Sequence, residues 1–177
     1  MRKFAIEIEM KNLEAKFRLA DLVHAESRAT AIGYARRAIL NQRDTFFRVA
    51  NGKLKLREEN GSGVLIFYRR SDSGPLMLSE YEIAPISDPA TTREILDRAL
   101  GTIATVEKVR ILLTRDNVRL HLDRVASLGD FGEIEAVLAD CDDPELSRAA
   151  VDEILAALEI PPAGLIDVSY FEMLAPR

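Results

Sequence analysis

One cysteine, two histidines, no tryptophan and no long apolar run are what this 177-residue chain is short of. The lone Cys141, in the acidic stretch Ala-Asp-Cys-Asp-Asp, has no partner for an internal disulfide and builds no cysteine metal cluster. No apolar run is long enough to span a bilayer, and Met-Arg-Lys-Phe leads into a strand pattern rather than into the hydrophobic region of a signal peptide. A cytoplasmic protein that engages no membrane is expected. The formal net charge of −5 argues against a surface that binds nucleic acid all over, while leaving room for a buried basic channel.

What the chain does have is 47% hydrophobic and 30% charged residues, the balance of an ordinary globular protein. Its length fits one domain, 1–177, with a core of its own and a helical segment at about 143–177 packing on the rest. Three helices are expected. The first runs from Asp21 to Leu40, with Leu22, Ala25, Ala29, Ile32, Ala35 and Ile39 near one face and Gly33 as a weak point. The second takes Asp88 as N-cap and Pro89 in its first turn, carries Ile95, Leu96, Ala99 and Leu100 on one side, and stops at Gly101. The third opens at Asp143-Pro144, carries Leu146, Ala150, Ile154, Leu155 and Leu158, and ends at Pro161-Pro162.

Between the helices the chain reads as hairpins. Asn51-Gly52, Asn60-Gly61-Ser62-Gly63 and Arg115-Asp116-Asn117 separate strand-like runs. Antiparallel strands with helices inserted suggest a barrel or a strongly curled sheet, an α+β fold.

The strands share an unusual alternation. Side chains on a strand point to opposite faces in turn. Glu7, Glu9 and Lys11 alternate with Ile6, Ile8 and Met10; Lys53, Lys55 and Arg57 with Leu54 and Leu56. Lys108 and Arg110 alternate with Val109 and Ile111; Arg119, His121 and Asp123 with Leu120 and Leu122; Glu133 and Glu135 flank Ile134. Each strand taken singly fits an apolar inner face and a solvated outer one. Taken together they sort acids from bases, which a solvent face seldom does. The alternative is an inside-out barrel whose charged faces line a lumen and whose apolar faces lie under the helices. A polyphosphate with divalent cations would fill such a lumen, the bases neutralising phosphate oxygens and the carboxylates holding metal.

These segments resemble the CYTH superfamily, the triphosphate tunnel metalloenzymes, and within it the class IV adenylyl cyclase-like branch. Glu7-x-Glu9-x-Lys11 looks like the N-terminal signature, and Gln42-x-Asp44-Thr45-Phe46-Phe47 with Gly52-Lys53-Leu54-Lys55-Leu56-Arg57-Glu58 is similar to that branch. Leu65-Ile66-x-Tyr68-x-Arg70-x-Asp72, Ser79-x-Tyr81, Lys108-x-Arg110, Arg119-x-His121-Leu122-Asp123 and Leu128-Gly129-x-Phe131-x-Glu133-x-Glu135 continue the likeness. A lone Glu-x-Glu-x-Lys is a weak motif; ordered segments over most of the chain are a strong one. Two features depart from the family: no His-Phe pair precedes the acidic signature, and Leu76, Met77 and Leu78 stand where related sequences tend to carry a lysine.

The resemblance implies an eight-stranded, antiparallel, closed β-barrel with a charged lumen, covered by helices, with Tyr170 and Glu172 closing one end. It implies Glu7, Glu9, Glu133 and Glu135 as carboxylates for Mg²⁺ or Mn²⁺, and Lys11, Lys55, Arg57, Arg70, Lys108, Arg110 and Arg119 as triphosphate ligands. Glu7, Glu9, Lys11 and Asp123 are the expected catalytic set. Asp123 and Glu135 could instead orient neighbouring bases, and Asp123 could contact a nucleobase. His121 could touch substrate or stand as a satisfied polar residue; Lys53, beside the Gly52 turn, is expected in solvent, and Arg69 is expected to point away. The implied activity is conversion of ATP to cyclic AMP and pyrophosphate. The alternative is a triphosphatase acting on inorganic triphosphate, thiamine triphosphate or a nucleoside triphosphate, and a third reading is a non-catalytic polyphosphate-binding module. A triphosphate small molecule is the expected partner, with no nucleic acid and with a homodimer as an allowed assembly.

Overall fold

A computed structural model describes residues 7–70, 77–138 and 144–174, with side chains for 12–69, 80–137 and 147–174. Asp72, Leu76, Cys141 and Asp143 lie outside the described residues, and so do the side chains of Glu7, Glu9, Lys11, Arg70 and Ser79.

Eight antiparallel strands form a ring: β1 (Glu7–Arg18), β2 (Ala35–Phe47), β3 (Lys53–Glu59), β4 (Ser62–Arg70), β5 (Met77–Ile86), β6 (Thr102–Arg115), β7 (Val118–Val125) and β8 (Gly129–Leu138). Their order around the barrel is β1-β5-β4-β3-β2-β6-β7-β8, and β1 closes it by pairing with both β5 and β8. The helices are α1 (Leu22–Ala31), α2 (Pro89–Leu100), α3 (Pro144–Ala157) and the short α4 (Tyr170–Leu174).

Local chemistry sets most of the boundaries. Asn60 and Gly61 both adopt positive φ (49° and 82°), the requirement of a two-residue hairpin turn whose twist matches its strands, so β4 begins at Ser62. Asp88 caps α2 by accepting from the Thr91 N–H at 3.0 Å, with Pro89 following, as the sequence led us to expect.

The long first helix is corrected. It stops at Ala31, because Gly33 takes a φ of 92° and donates to Thr30 O while Tyr34 donates to Ala29 O. That pair of bonds is a helix-terminating motif built around a left-handed residue. Residues from Ala35 onward then pair with β6, an override of helical periodicity by sheet partners.

Two apolar clusters divide the molecule. The first lies outside the barrel, where Ala15, Phe17, Leu113, Leu120, Leu122 and Ile134 pack under Leu22, Ala25 and Ala29 of α1 and Val151, Ile154 and Leu155 of α3. Gly132 is required there: a Cβ on it would sit 2.1 Å from the ring of the fully buried Phe17. The second is inside, where Phe46, Ile66, Tyr68, Val106, Val125 and Phe131 meet Tyr170 of α4. So the lumen is charged over part of its length and apolar beneath α4. Of the three long helices α2 covers its strand faces most thinly: it lies against β2, β3 and β4 but buries none of its own residues and leaves Ile95 60% exposed.

Candidate active site

Strand alternation puts a concentrated ion network in the lumen. The cavity is lined by Asn12, Glu14 and Lys16 of β1, Asp44 of β2, Lys55 and Arg57 of β3, Lys108 and Arg110 of β6, Arg119 of β7, and Glu133 and Glu135 of β8. Leu56, Leu120 and Ile134, which alternate with them, are fully buried on the outer side. The inside-out reading therefore describes how the charged and apolar faces are divided on these strands.

Two cross-strand rows organise one wall. Lys16, Glu133 and His121 are in register across β1, β8 and β7, and so are Glu14, Glu135 and Arg119 one step along. On the other side Asp44 accepts a two-pronged pair of bonds from Arg57, 2.7 Å to each oxygen, and a third from Lys55 at 3.0 Å. Deeper in, Asp123 accepts two bonds of 2.6 Å from Arg110, one of 3.3 Å from Lys108 and one of 3.1 Å from the Tyr170 hydroxyl. Arg110 also reaches Glu133 at 2.6 Å, whose other oxygen lies 3.1 Å from Lys16.

Burial and charge act against each other here. Burial alone would raise the Asp44 carboxyl, but the Arg57 and Lys55 charges and the Arg57 bonds outweigh it and hold the group well below the usual carboxylate range. Asp123 follows the same pattern through Arg110 and Lys108, and Glu133 through Lys16, Arg110 and Lys108. Lys55 goes the other way: burial and the neighbouring Arg57 lower it to about 8, with Asp44 only partly opposing. Burial and the Asp123 charge push the Tyr170 phenol well above its ordinary value.

The structure brings Lys55, Arg57, Lys108, Arg110, Arg119, Glu133 and Glu135 to one cavity and places Asp123 against it. Asp123 is fully buried and saturated by Arg110, Lys108 and Tyr170, a position suited to orienting bases and closed to a nucleobase. Along β1 the register against β5 slips by one residue between Glu7 and Met10, so the alternation assumed for Glu7, Glu9 and Lys11 does not run unbroken. The second half of the strand, Asn12-x-Glu14-x-Lys16, supplies the lumen residues. That triplet was overlooked, although its alternation with Leu13, Ala15 and Phe17 is visible one step out of phase with the first. Asp44 was overlooked as a site residue for lack of a second acid on its strand face.

At the α4 end the chain closes on itself. Tyr170 inserts between Lys16 and Lys108, whose ammonium groups stand 4.4 and 5.1 Å from its ring centre. Phe171 stacks on Phe46 at 4.7 Å, and Glu172 binds Lys53 at 2.7 Å. Lys53 is thus a clasp for α4 and only a quarter exposed, whereas Arg69 does point outward.

A closed antiparallel barrel whose lumen is walled by bases and carboxylates defines a class of tunnel protein. Residues 6–170 match the CYTH domain model, and the chain belongs to the CYTH family. A Methanocaldococcus jannaschii protein named "putative adenylate cyclase" is 26% identical over 132 residues, 73% of this chain and 75% of that one. Among solved structures, the PH1012 protein of Pyrococcus horikoshii superposes with a TM-score of 0.81 at 22% identity, covering 91% of this chain and 98% of that one. A Hippeastrum protein described as a "putative adenylyl cyclase" with a dominant triphosphatase activity superposes at 0.68 and 17% identity, over 93% of this chain and 94% of its own. No helix among the described residues is long and apolar enough to cross a membrane.

Proposed function

We propose that the protein is a divalent-metal-dependent enzyme that cleaves a phosphorus–oxygen bond of a triphosphate held in the barrel lumen, with ATP cyclisation as the leading reaction. The observation that carries this is the convergence of Lys16, Lys55, Arg57, Lys108, Arg110 and Arg119 with Glu14, Glu133 and Glu135 in one cavity. Arginines suit two-pronged binding of phosphoryl oxygens and lysines act as point charges, so the mixture fits a chain of three phosphates.

The donor set fits a hard or borderline cation. Glu133, Glu135 and a buried imidazole bring ligand atoms within 4.8 Å of one another. Glu133 and Glu135 would hold the ion, with Glu14, opposite Glu135 on β1, as the proposed partner; Glu9 and Glu7 lie five and seven residues further along the strand, too far at about 3.4 Å per residue to share that ion. When bound, such an ion polarises phosphoryl oxygens and neutralises charge developing on them. The chain's own work is positional: Asp44 sets the fork of Arg57, Asp123 sets that of Arg110, and Tyr170 closes the α4 end against water. In cyclisation a ribose 3′-oxygen attacks the α-phosphorus and pyrophosphate leaves. Tyr68 and Tyr81, rings 5.7 Å apart on the lumen wall, offer the aromatic surface that a nucleoside would need.

The second reading, hydrolysis at the terminal phosphorus, uses the same lumen with water as nucleophile. It draws support from the Hippeastrum neighbour, in which this fold accompanies a dominant triphosphatase activity. The deciding experiment offers the purified protein ATP, thiamine triphosphate and inorganic triphosphate separately, with Mg²⁺ or Mn²⁺, and quantifies cyclic AMP, pyrophosphate and phosphate. Cyclic AMP with pyrophosphate and no phosphate is expected; phosphate from inorganic triphosphate alone would replace cyclisation by hydrolysis.

A further inference from the structure

His121 is 5% exposed, and its Nδ1 has no hydrogen-bond partner. A buried, unsatisfied imidazole nitrogen is costly and asks for an explanation. It faces two carboxylates at once: Glu135 Oε1 at 3.6 Å and Glu133 Oε2 at 3.8 Å. Both separations exceed hydrogen-bond length. They are close to the spacing of two ligands sharing one ion, since donors at about 2.0–2.2 Å in a tetrahedral array stand about 3.3–3.6 Å apart. The three groups sit on adjacent strands β7 and β8, held by a regular ladder in which His121 is opposite Glu133. A site on paired strands is stiffer than one on loops.

We infer that His121 Nδ1 is a metal ligand, completing with Glu133 and Glu135 a mixed nitrogen and oxygen site that prefers a transition-metal dication such as Mn²⁺ over Mg²⁺. The inference rests on the metal-dependent reading above and goes beyond it in naming the third ligand and the consequence for selectivity. Mg²⁺ takes oxygen ligands almost exclusively, whereas first-row transition dications accept an imidazole nitrogen, Mn²⁺ least among them and the later ions more. Arg110 and Lys16 already engage Glu133, so the carboxylate's charge is shared with two cations. Glu133 is therefore a weakened donor by itself, and a nitrogen ligand beside it adds to what the two carboxylates supply.

The test uses the full-length, tag-free protein loaded with Mn²⁺ alone and pulsed electron paramagnetic resonance to detect nitrogen coupled to the ion. The chain has only two histidines, and His24 is exposed on α1, so the H24Q variant serves as the control. An imidazole nitrogen coupling in wild type that persists in H24Q and vanishes in H121Q is expected. In parallel, calorimetric titration is expected to show Mn²⁺ affinity falling about 10–100-fold in H121Q while Mg²⁺ affinity barely moves. Mn²⁺ bound without nitrogen coupling in wild type would overturn this inference and leave the oxygen-ligated reading standing. Failure of wild type to bind either ion would overturn both. The wild-type spectrum decides the matter even where H121Q folds poorly.

Discussion

Replacing Asp44 with Asn removes one negative charge and almost no volume, and its consequence follows from the lumen's geometry. Asp44 is 3% exposed and is held by Arg57 through two bonds of 2.7 Å and by Lys55 at 3.0 Å. Breaking a buried ion pair from one side costs about 3–5 kcal/mol, because the partner charge stays in the low-dielectric interior. Lys55 has an escape. With its pKa lowered to about 8, shedding its proton at pH 7 costs about 1.4 kcal/mol, and less once Asp44 is gone. Arg57 has none, so it carries most of the penalty. For a chain of this size each kcal/mol moves Tm by about 2–4 °C, and D44N should melt about 6–20 °C below wild type near neutral pH. Tripolyphosphate brings back the missing negative charge and should raise the Tm of the variant by more than that of wild type. Differential scanning calorimetry with and without the anion reads both effects. A variant that melts within about 2 °C of wild type in its absence would refute the reasoning.

Three further outcomes can be checked. In G132A the new Cβ meets the ring of Phe17, so overpacking should cost about 1–3 kcal/mol in denaturant unfolding without changing tripolyphosphate affinity; an unchanged midpoint would show that Phe17 yields freely. Lys55, at about 8 when folded and 10.5 in its ordinary state, binds fewer protons folded than unfolded between those values, so its contribution to stability rises with pH across that window. An anion bound beside it favours the charged form, and calorimetry at pH 8.5 in buffers of different ionisation heat should show proton uptake on tripolyphosphate binding that is absent in K55R. Glu172 is lowered to about 2, burial opposed by its bonds to Lys53 and Ser169. Its hold on α4 is complete above the ordinary glutamate value of 4.5 and lost as pH falls toward 2, so the protection factors of the 169–174 amides, corrected for the intrinsic pH dependence of exchange, should fall over that range in wild type and be low throughout in E172A.

The legible parts of the fold were those that local chemistry decides. Asn60-Gly61, Asp88-Pro89 and the charged alternation of β3, β6, β7 and β8 each announce a turn, a cap or a face without help from distant residues. The segment after Gly33 was not legible, since its apolar spacing fits a helix and only pairing with β6 makes it a strand. The phase of β1 was hidden for a related reason. The sequence shows two successive alternations one step out of phase, Glu7 to Lys11 and Asn12 to Lys16, without saying which of them faces the lumen, and the slip against β5 between Glu7 and Met10 is invisible in it. The apolar end of the lumen escaped notice because Phe46, Val106, Val125 and Phe131 continue strand faces whose other residues are charged, and only α4 gives them something to pack on. His121 read as a polar residue with its needs met; its position opposite Glu133 shows an Nδ1 without a partner.

The most direct test of the lumen as a triphosphate site is the equilibrium affinity of the wild-type protein for tripolyphosphate, measured by calorimetry beside R57Q, whose lost guanidinium lines the cavity. Binding in wild type that weakens at least about tenfold in R57Q, and falls further as salt is raised, is the predicted result. No binding in wild type, or equal binding in both, would contradict it.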